Sequence, residues 1–587
     1  MSKTKNITFK AIILSFCAFW AASCARLTVK PDLAIGPSET RWVDKMMKQM
    51  SLEEKVGQMI ACRYTGGFFN DDSDYMAGLK DLIVNHKIGG LIIFLGEAYE
   101  TAHLNNALQG LAKIPLLIAS DLERGAGNQI TGATLFPTLM ALGAANSEEL
   151  AYKMGKVTAE EGRALGIHMT YAPVVDVNIN PDNPIINTRA IGEDPEQVSR
   201  LATAFIKGCQ EGGMIATAKH FPGHGDTDQD SHSLLPTIRA DRERLENVEL
   251  YPYKKAFEAG VQAVMVAHLN VPALDSTPNL PSSLSPAIMT ELLRKKMGFK
   301  GLVVTDAMEM GGVTNSYAST EAALQSILAG VDMVLLPPEP GKVADFLIAA
   351  VKSGKLPEAR IAESVRRILE VKARLGLHFN KIVDVEALPK KIGTKENLRQ
   401  AFLTFESAAT LVKNERGVLP LSAPGKKFAV LSLSSDQGDY FAGRTFANAV
   451  KKRAPGTQVF YADATTGKEA LDDAFFKAAE SDLVVCAVFS SLRAGKGSVG
   501  LDPNHVDLIK TLAATGKPVV VLNFGSPYLL KNFPEVDACL CLYRNTAQAQ
   551  DIAARAIFGE MDVKGKLPVS LPGLYLLGQG VELKKIK

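Results

Sequence analysis

From Arg41 to about Gly376, short apolar runs alternate with longer amphipathic stretches. The runs are Val56–Cys62, Gly90–Phe94, Pro115–Asp121, His168–Val177, Ile215–His220, Ala263–His268, Gly301–Asp306 and Met333–Leu336. Each has strand length and is apolar throughout, as strands buried on both faces must be. Between them lie helix-patterned stretches such as Glu148–Gly162, Pro195–Glu211 and Leu245–Ala259. Strand–helix alternation implies a parallel sheet, and eight such units close a barrel. The reading is an α/β protein whose first domain is a (β/α)8 TIM-like barrel over residues 39–376.

Residues 377–400 are rich in charge and read as a linker. From Phe402 the alternation restarts with Lys427–Ser434, Gln458–Ala462, Leu483–Ser490, Pro518–Asn523 and Ala538–Leu542. Five strands cannot repeat the barrel. Residues 401–587 therefore read as a second α/β domain, an open sheet covered on both faces. No phosphate-binding glycine loop opens any of its helices, so it offers no evident nucleotide site.

The N-terminus follows a different pattern. Lys3, Lys5 and Lys10 precede an apolar run from Ala11 to Ala22, the layout of an export signal. The run ends in Ala21-Ala22-Ser23-Cys24, which resembles a bacterial lipobox. Residues 1–24 are then a lipoprotein signal, Cys24 the lipidated first residue, and 25–38 a tether. This predicts an exported protein anchored by acyl chains to a bacterial membrane. Of the seven cysteines, Cys17 and Cys24 belong to the signal, and the other five, Cys62, Cys209, Cys486, Cys539 and Cys541, fall in apolar runs without metal-type spacing, which predicts buried thiols. A net charge of +2 gives no bulk electrostatic case for nucleic acid.

The strand ends carry the candidate chemistry. Asp121, Asp176, Lys219-His220, His268 and Asp306 all close predicted barrel strands. In such barrels the catalytic face lies at those ends. Past the fifth strand comes Lys219-His220-Phe221-Pro222-Gly223-His224-Gly225-Asp226-Thr227-Asp228-Gln229-Asp230-Ser231-His232. Three of the chain's nine histidines lie between His220 and His232. Gly223 and Gly225 predict a loop that can fold over a ligand and move. Asp230 and His232 are spaced so that the carboxylate can reach the imidazole and fix its tautomer. His224 reads as a brace within the loop, and Asp176 and His268 as supports at the mouth. Met308 and Met310 read as pocket wall or core.

Lys-His-Phe-Pro-Gly-His-Gly followed by Asp-x-His resembles the β-N-acetylglucosaminidase branch of glycoside hydrolase family 3. The resemblance covers nearly the whole chain beyond the signal. Ala408–Leu421 and Phe558–Leu571 resemble that family's C-terminal domain. It implies Asp306, in Val304-Thr305-Asp306-Ala307-Met308, as nucleophile, His232 as acid/base and Asp230 as its partner. Asp121, Arg189, Lys219 and His220 match positions that grip the terminal sugar. One segment departs from the pattern. Where the family has Glu-Gly-Gly-Arg and a further arginine after the third-strand Asp, this chain has Leu122-Glu123-Arg124-Gly125-Ala126-Gly127-Asn128-Gln129. Arg124 is displaced and Gln129 stands at the later arginine.

The implied activity is retaining, exo-acting hydrolysis of terminal β-linked GlcNAc from peptidoglycan fragments or chito-oligosaccharides, with no cofactor. A carboxylate attacks the anomeric carbon while a second group protonates the leaving oxygen and later deprotonates water. An imidazole can serve as that second group. Two alternatives remain. A metal-dependent barrel hydrolase would use similar strand-end residues, but the first strand ends Ile60-Ala61-Cys62, without His-x-His. A β-glucosidase of the same family would draw a carboxylate acid/base from the second domain, and the corresponding Gly495–Asp502 contains no glutamate.

Overall fold

The computed structural model describes residues 34–422, 424–490 and 500–586. The proposed signal, Cys24, most of the tether and residues 495–499 of the glutamate-free segment lie outside the described residues. The first sheet holds, in chain order, β1 (Ile60–Gly66), β2 (Gly90–Glu97), β3 (Leu117–Ser120), β4 (Ile130–Thr131), β5 (Met169–Thr170), β6 (Ile215–Phe221), β7 (Ala263–Val266), β8 (Leu302–Ala307) and β9 (Met333–Leu335). β4 is a short strand paired only with the end of β2. The other eight run parallel, and β1 pairs with both β2 and β9, which closes the barrel. The apolar runs of the sequence are its strands, shifted by a few residues at their ends.

Several of the surrounding helices start where short polar side chains accept their first free N–H groups. Ser51 and Glu54 form a reciprocal cap, and Asp194 caps Pro195–Glu211 through Glu196 and Gln197 N–H. One expected helix is broken. Leu245–Ala259 is divided between Arg242–Asn247 and Tyr251–Glu258. Pro252 lies in the first turn of the second piece, and its ring cannot follow a helical carbonyl four residues earlier. The break turns Glu249 inward, where it pairs with Arg244.

Among the described residues the second domain has six strands, not five: β10 (Thr410–Asn414), β11 (Phe428–Ser434), β12 (Gln458–Ala462), β13 (Leu483–Phe489), β14 (Val519–Asn523) and β15 (Ala538–Cys541). Their order is β10-β15-β14-β13-β11-β12, and only β10 is antiparallel to its neighbour. Strand period sorts the side chains to two faces. Val484, Cys486 and Val488 enter one core, while Leu483, Val485, Ala487 and Phe489 enter the other. The five described cysteines are free and buried.

The two domains are joined through a shared helix, Leu139–Ala145. Leu139 and Leu142 pack in the barrel core, while Met140, Ala141 and Ala144 pack in the second. Asn178 donates to the Tyr528 hydroxyl at 3.0 Å, and Ser570 N–H donates to Glu193 at 2.8 Å. The contacts come from segments beyond the C-terminal ends of β3 and β5, so the second domain sits at the catalytic face. Residues of the 377–400 stretch are also held: Val383 exchanges hydrogen bonds with Asn106, and Gly393 N–H donates to Glu161.

Candidate active site

The C-terminal end of the barrel opens into a cavity of about 700 Å³. Asp121, Arg189, Lys219, His220, His232 and Asp306 all line it, with Asp230 directly behind His232. The structure thus brings every described site residue predicted from sequence into one place. Ile92, Phe94, Met265 and Leu335 supply apolar wall. Met310 also lines the cavity, and Met308 is core.

Charge is paired closely on one side. Lys219 Nζ lies 2.7 Å from Asp121 Oδ1 and 2.7 Å from Glu123 Oε1. Arg189 grips both oxygens of Glu123, Nε donating at 3.1 Å and Nη2 at 2.7 Å. Burial alone would raise the Glu123 carboxyl, but Arg189 and Lys219 hold it well below the usual carboxylate range. Burial likewise opposes the Lys219 charge, and Asp121 and Glu123 raise its pKa. A bidentate pair of this kind fixes direction as well as charge.

Arg189 Nη2 also lies 3.2 Å from His220 Nε2. A guanidinium can only donate, so Nε2 is the acceptor and His220 carries its proton on Nδ1. That proton goes to Asp176, 2.7 Å away. Asp176 also accepts the backbone N–H groups of His220 and, at 2.7 Å, of His224. Its burial would raise its pKa, yet His220 and His224 lower it. A carboxylate left off the sequence's catalytic set is therefore the anchor of the whole loop.

The loop is braced from within. His224 Nδ1 meets the Thr227 hydroxyl and Nε2 the Ser231 hydroxyl, each at 2.9 Å. Burial and the neighbouring His220 push its pKa to about 4, so it is neutral. The glycines allow close packing. A Cβ on Gly225 would stand 1.8 Å from the Val177 carbonyl oxygen, and Gly223 has φ +131° against Glu249. The loop ends at Asp230-Ser231-His232. Asp230 Oδ1 accepts the His232 backbone N–H at 2.9 Å and lies 2.8 Å from its Nδ1. That assigns the proton to Nδ1 and leaves Nε2 facing the cavity on a side chain 39% exposed.

Asp306 ends β8 and accepts the Ala307 N–H at 2.8 Å. Burial would raise its carboxyl, but the neighbouring His220, His268, Ala307 N–H and Lys219 hold it at about 2. His268 is held by the Ala307 carbonyl at 3.2 Å and the Ser283 hydroxyl at 2.7 Å. Among the described residues no cluster of three His, Cys, Asp or Glu could hold a metal ion.

Asp176 is the support at the mouth that its strand-end position suggests, whereas nothing in the local sequence singles out Glu123. The signal for Glu123 was charge arithmetic: Arg189 and Lys219 converge on a mouth for which only Asp121 was counted, and buried cations need counterions. Arg124 and Arg544 also line the cavity, the latter from the second domain. Gln129 instead supports the loop, accepting the Leu95 N–H at 3.2 Å.

Residues 51–371 match the N-terminal domain of glycosyl hydrolase family 3, and residues 409–575 match its C-terminal domain. A β-N-acetylglucosaminidase/β-glucosidase of Cellulomonas fimi is 29% identical over 90% of this chain and 95% of its own length. The β-hexosaminidase A of Pseudoalteromonas piscicida is 34% identical over 58% of this chain and 62% of its own. Among solved structures, a glycoside hydrolase family 3 β-N-acetylglucosaminidase from Paenibacillus superposes with a TM-score of 0.79 at 33% identity, covering 89% of this chain and 99% of that one.

Proposed function

The chain belongs to glycosyl hydrolase family 3, and on that premise we propose that it is a retaining, exo-acting β-N-acetylglucosaminidase that releases terminal β-linked GlcNAc from peptidoglycan fragments or chito-oligosaccharides. Asp306 attacks the anomeric carbon and forms a glycosyl ester as the bond to the leaving oxygen breaks. His232 gives its Nε2 proton to that oxygen, and Asp230 stabilises the imidazolium through Nδ1. Neutral His232 then takes a proton from water, whose oxygen attacks the anomeric carbon as the bond from that carbon to the Asp306 carboxylate breaks. Asp121, Arg189, Lys219 and His220 hold the hydroxyls of the terminal sugar. The observation that carries this reading is the 2.8 Å contact of Asp230 with His232 Nδ1 at the rim of the cavity that holds Asp306.

The test is sugar preference. Aryl β-GlcNAc should be cleaved at least about 10²-fold better in kcat/KM than aryl β-glucoside, because a pocket built for the acetamido group leaves polar groups unpaired without it. Equal values would sink the GlcNAc reading and favour the β-glucosidase alternative. We further propose a lipid anchor at Cys24. Cys24→Ser should release the exported protein from membranes, and an unmutated protein already free in the soluble fraction would exclude the anchor.

A further inference from the structure

Among the described residues, two arginines in the cavity wall have no ion-pair partner. Arg124 follows β3, where the family pattern has glycine, and Arg544 follows β15 in the second domain. Arg124 Nη1 and Arg544 Nε are buried with no hydrogen-bond partner. Every other arginine or lysine of this cavity is paired: Lys219 with Asp121 and Glu123, Arg189 with Glu123, Arg63 with Glu309. The nearby Glu123 lends Arg124 some countercharge, but among the described residues no hydrogen bond or ion pair joins it to either arginine, and its oxygens already receive Arg189 and Lys219. Burial first, and then the charge of Arg544, push the Arg124 pKa down to about 9.

A neutral hydroxyl would satisfy some of these donors but would leave two facing cations unrelieved. An oxyanion does both, and planar guanidinium forks match its geometry. The position is also informative. Arg124 has Arg544, Glu123 and Arg189 as charged neighbours. Asp306 has His220, His268 and Lys219. Arg124 follows β3 and Asp306 lies at the end of β8, four strands away in either direction round the eight-stranded barrel, so Arg124 stands across the mouth from the nucleophile.

We propose that Arg124 and Arg544 form a subsite for an oxyanion carried by the terminal sugar itself, on the side away from the scissile bond: a sulfate ester, a phosphate ester or an ether-linked carboxylate. This rests on the reading of Asp306 as nucleophile and of Asp121, Arg189 and Lys219 as terminal-sugar contacts. It makes the second domain part of the substrate site, and it gives the displaced arginine of the third-strand loop a task. Closure of the subsite needs both domains, which explains why Thr138, whose hydroxyl reaches the Tyr543 carbonyl at 3.5 Å, sits in the same wall.

The experiment uses the full soluble chain and 4-nitrophenyl β-GlcNAc beside its 6-O-sulfo, 6-O-phospho and 3-O-lactyl derivatives. At least one charged derivative should exceed the parent in kcat/KM. Arg124→Gln and Arg544→Gln should each lower that charged-to-parent ratio by about 10- to 100-fold, mainly through KM, as expected for lost hydrogen bonds to a charged group. The two residues lie in different domains, so misfolding of one variant leaves the other to decide. Charged-to-parent ratios at or below one for all three derivatives, or ratios that both substitutions leave unchanged, would overturn the proposal. So would a selective loss confined to an uncharged GlcNAc joined to a carboxylated leaving sugar, since the subsite would then face the other way. Inorganic phosphate is the remaining source: an arginine-dependent response to it, with no preference among the sugars, would also overturn a sugar-borne anion. If the GlcNAc-over-glucose comparison fails, the same charged and parent pairs on glucose still read this subsite separately.

Discussion

The backbone N–H of Gly311 donates to the carbonyl oxygen of His232 at 2.9 Å. Gly312 N–H reaches the Ser231 carbonyl at 3.3 Å, and Asn315 Nδ2 the Ser233 carbonyl at 2.9 Å. The turn that follows β8, and hence Asp306, thus carries the end of the loop that presents His232. The spacing of proposed nucleophile and proposed acid/base is set by backbone contacts rather than by a long mobile arm.

This relationship makes Gly311→Ala informative. A Cβ there would stand 2.5 Å from the Ser233 carbonyl oxygen and 3.0 Å from that of His232, both backbone atoms that cannot swing aside. The loop must shift and His232 with it. The fold should survive, because the substitution is at the site and not in a core. The kcat for chitobiose should fall about 10- to 100-fold, the usual result of misplacing a reacting group by about 1 Å. Circular dichroism melting beside steady-state kinetics checks both parts. An unimpaired kcat would mean that this contact does not set the position of His232.

The barrel was legible because fully apolar strands and amphipathic helices carry different periods, and Gly90, Ala263 or Met333 sit inside unmistakable runs. β10 was not, because Thr410–Asn414 is an edge strand whose last two residues are only half-buried, so its pattern is diluted. The broken helix at Val248 was a matter of Pro252, whose effect the apolar period of Leu245–Ala259 masks. In the site, residues fixed by local sequence were legible: Asp230 and His232 are two residues apart. Glu123 and Asp176 depend on partners far along the chain. Glu123 meets Arg189 across 66 residues and Asp176 meets His220 across 44, and no local spacing encodes either. Arg544 is further still, since only the docking of two domains brings it to the cavity.

Asp306 gives a pH signature. Its carboxyl is held at about 2, below its ordinary 3.8, so the fold favours the ionised form. The stability it contributes is present above pH 3.8 and is lost as pH falls from there through about 2. Urea unfolding between pH 5 and 2 should therefore show a steeper acid-dependent loss in that window for the wild type than for Asp306→Ala, which keeps only the contribution of other depressed carboxylates such as Glu123 and Asp176. The same depression keeps the nucleophile charged throughout the neutral range, so the acid limb of kcat/KM near neutrality must come from another group. Wild type and variant losing stability in parallel from pH 4 to 2 would show that the Asp306 carboxyl is not depressed.

The last prediction separates a proton donor from a binding residue at His232. Forming the glycosyl ester from chitobiose requires protonation of a poor leaving group, and His232→Ala should slow that step by about 10²–10⁴-fold. A dinitrophenyl leaving group needs no proton, so its first step should persist while water attack on the intermediate becomes limiting. A burst of dinitrophenol should then precede the steady state. Azide, which needs no general base, should restore turnover and yield a β-glycosyl azide, the stereochemistry of two successive inversions. Asp230→Asn should give a milder form, because the imidazole stays while its charged partner at 2.8 Å is lost. The remaining rim carboxylate, Glu309, is engaged by Arg63 and is the competing donor. If His232→Ala slows both substrates equally and azide has no effect, His232 only binds sugar. Glu309→Gln should then reproduce the leaving-group dependence and azide rescue instead.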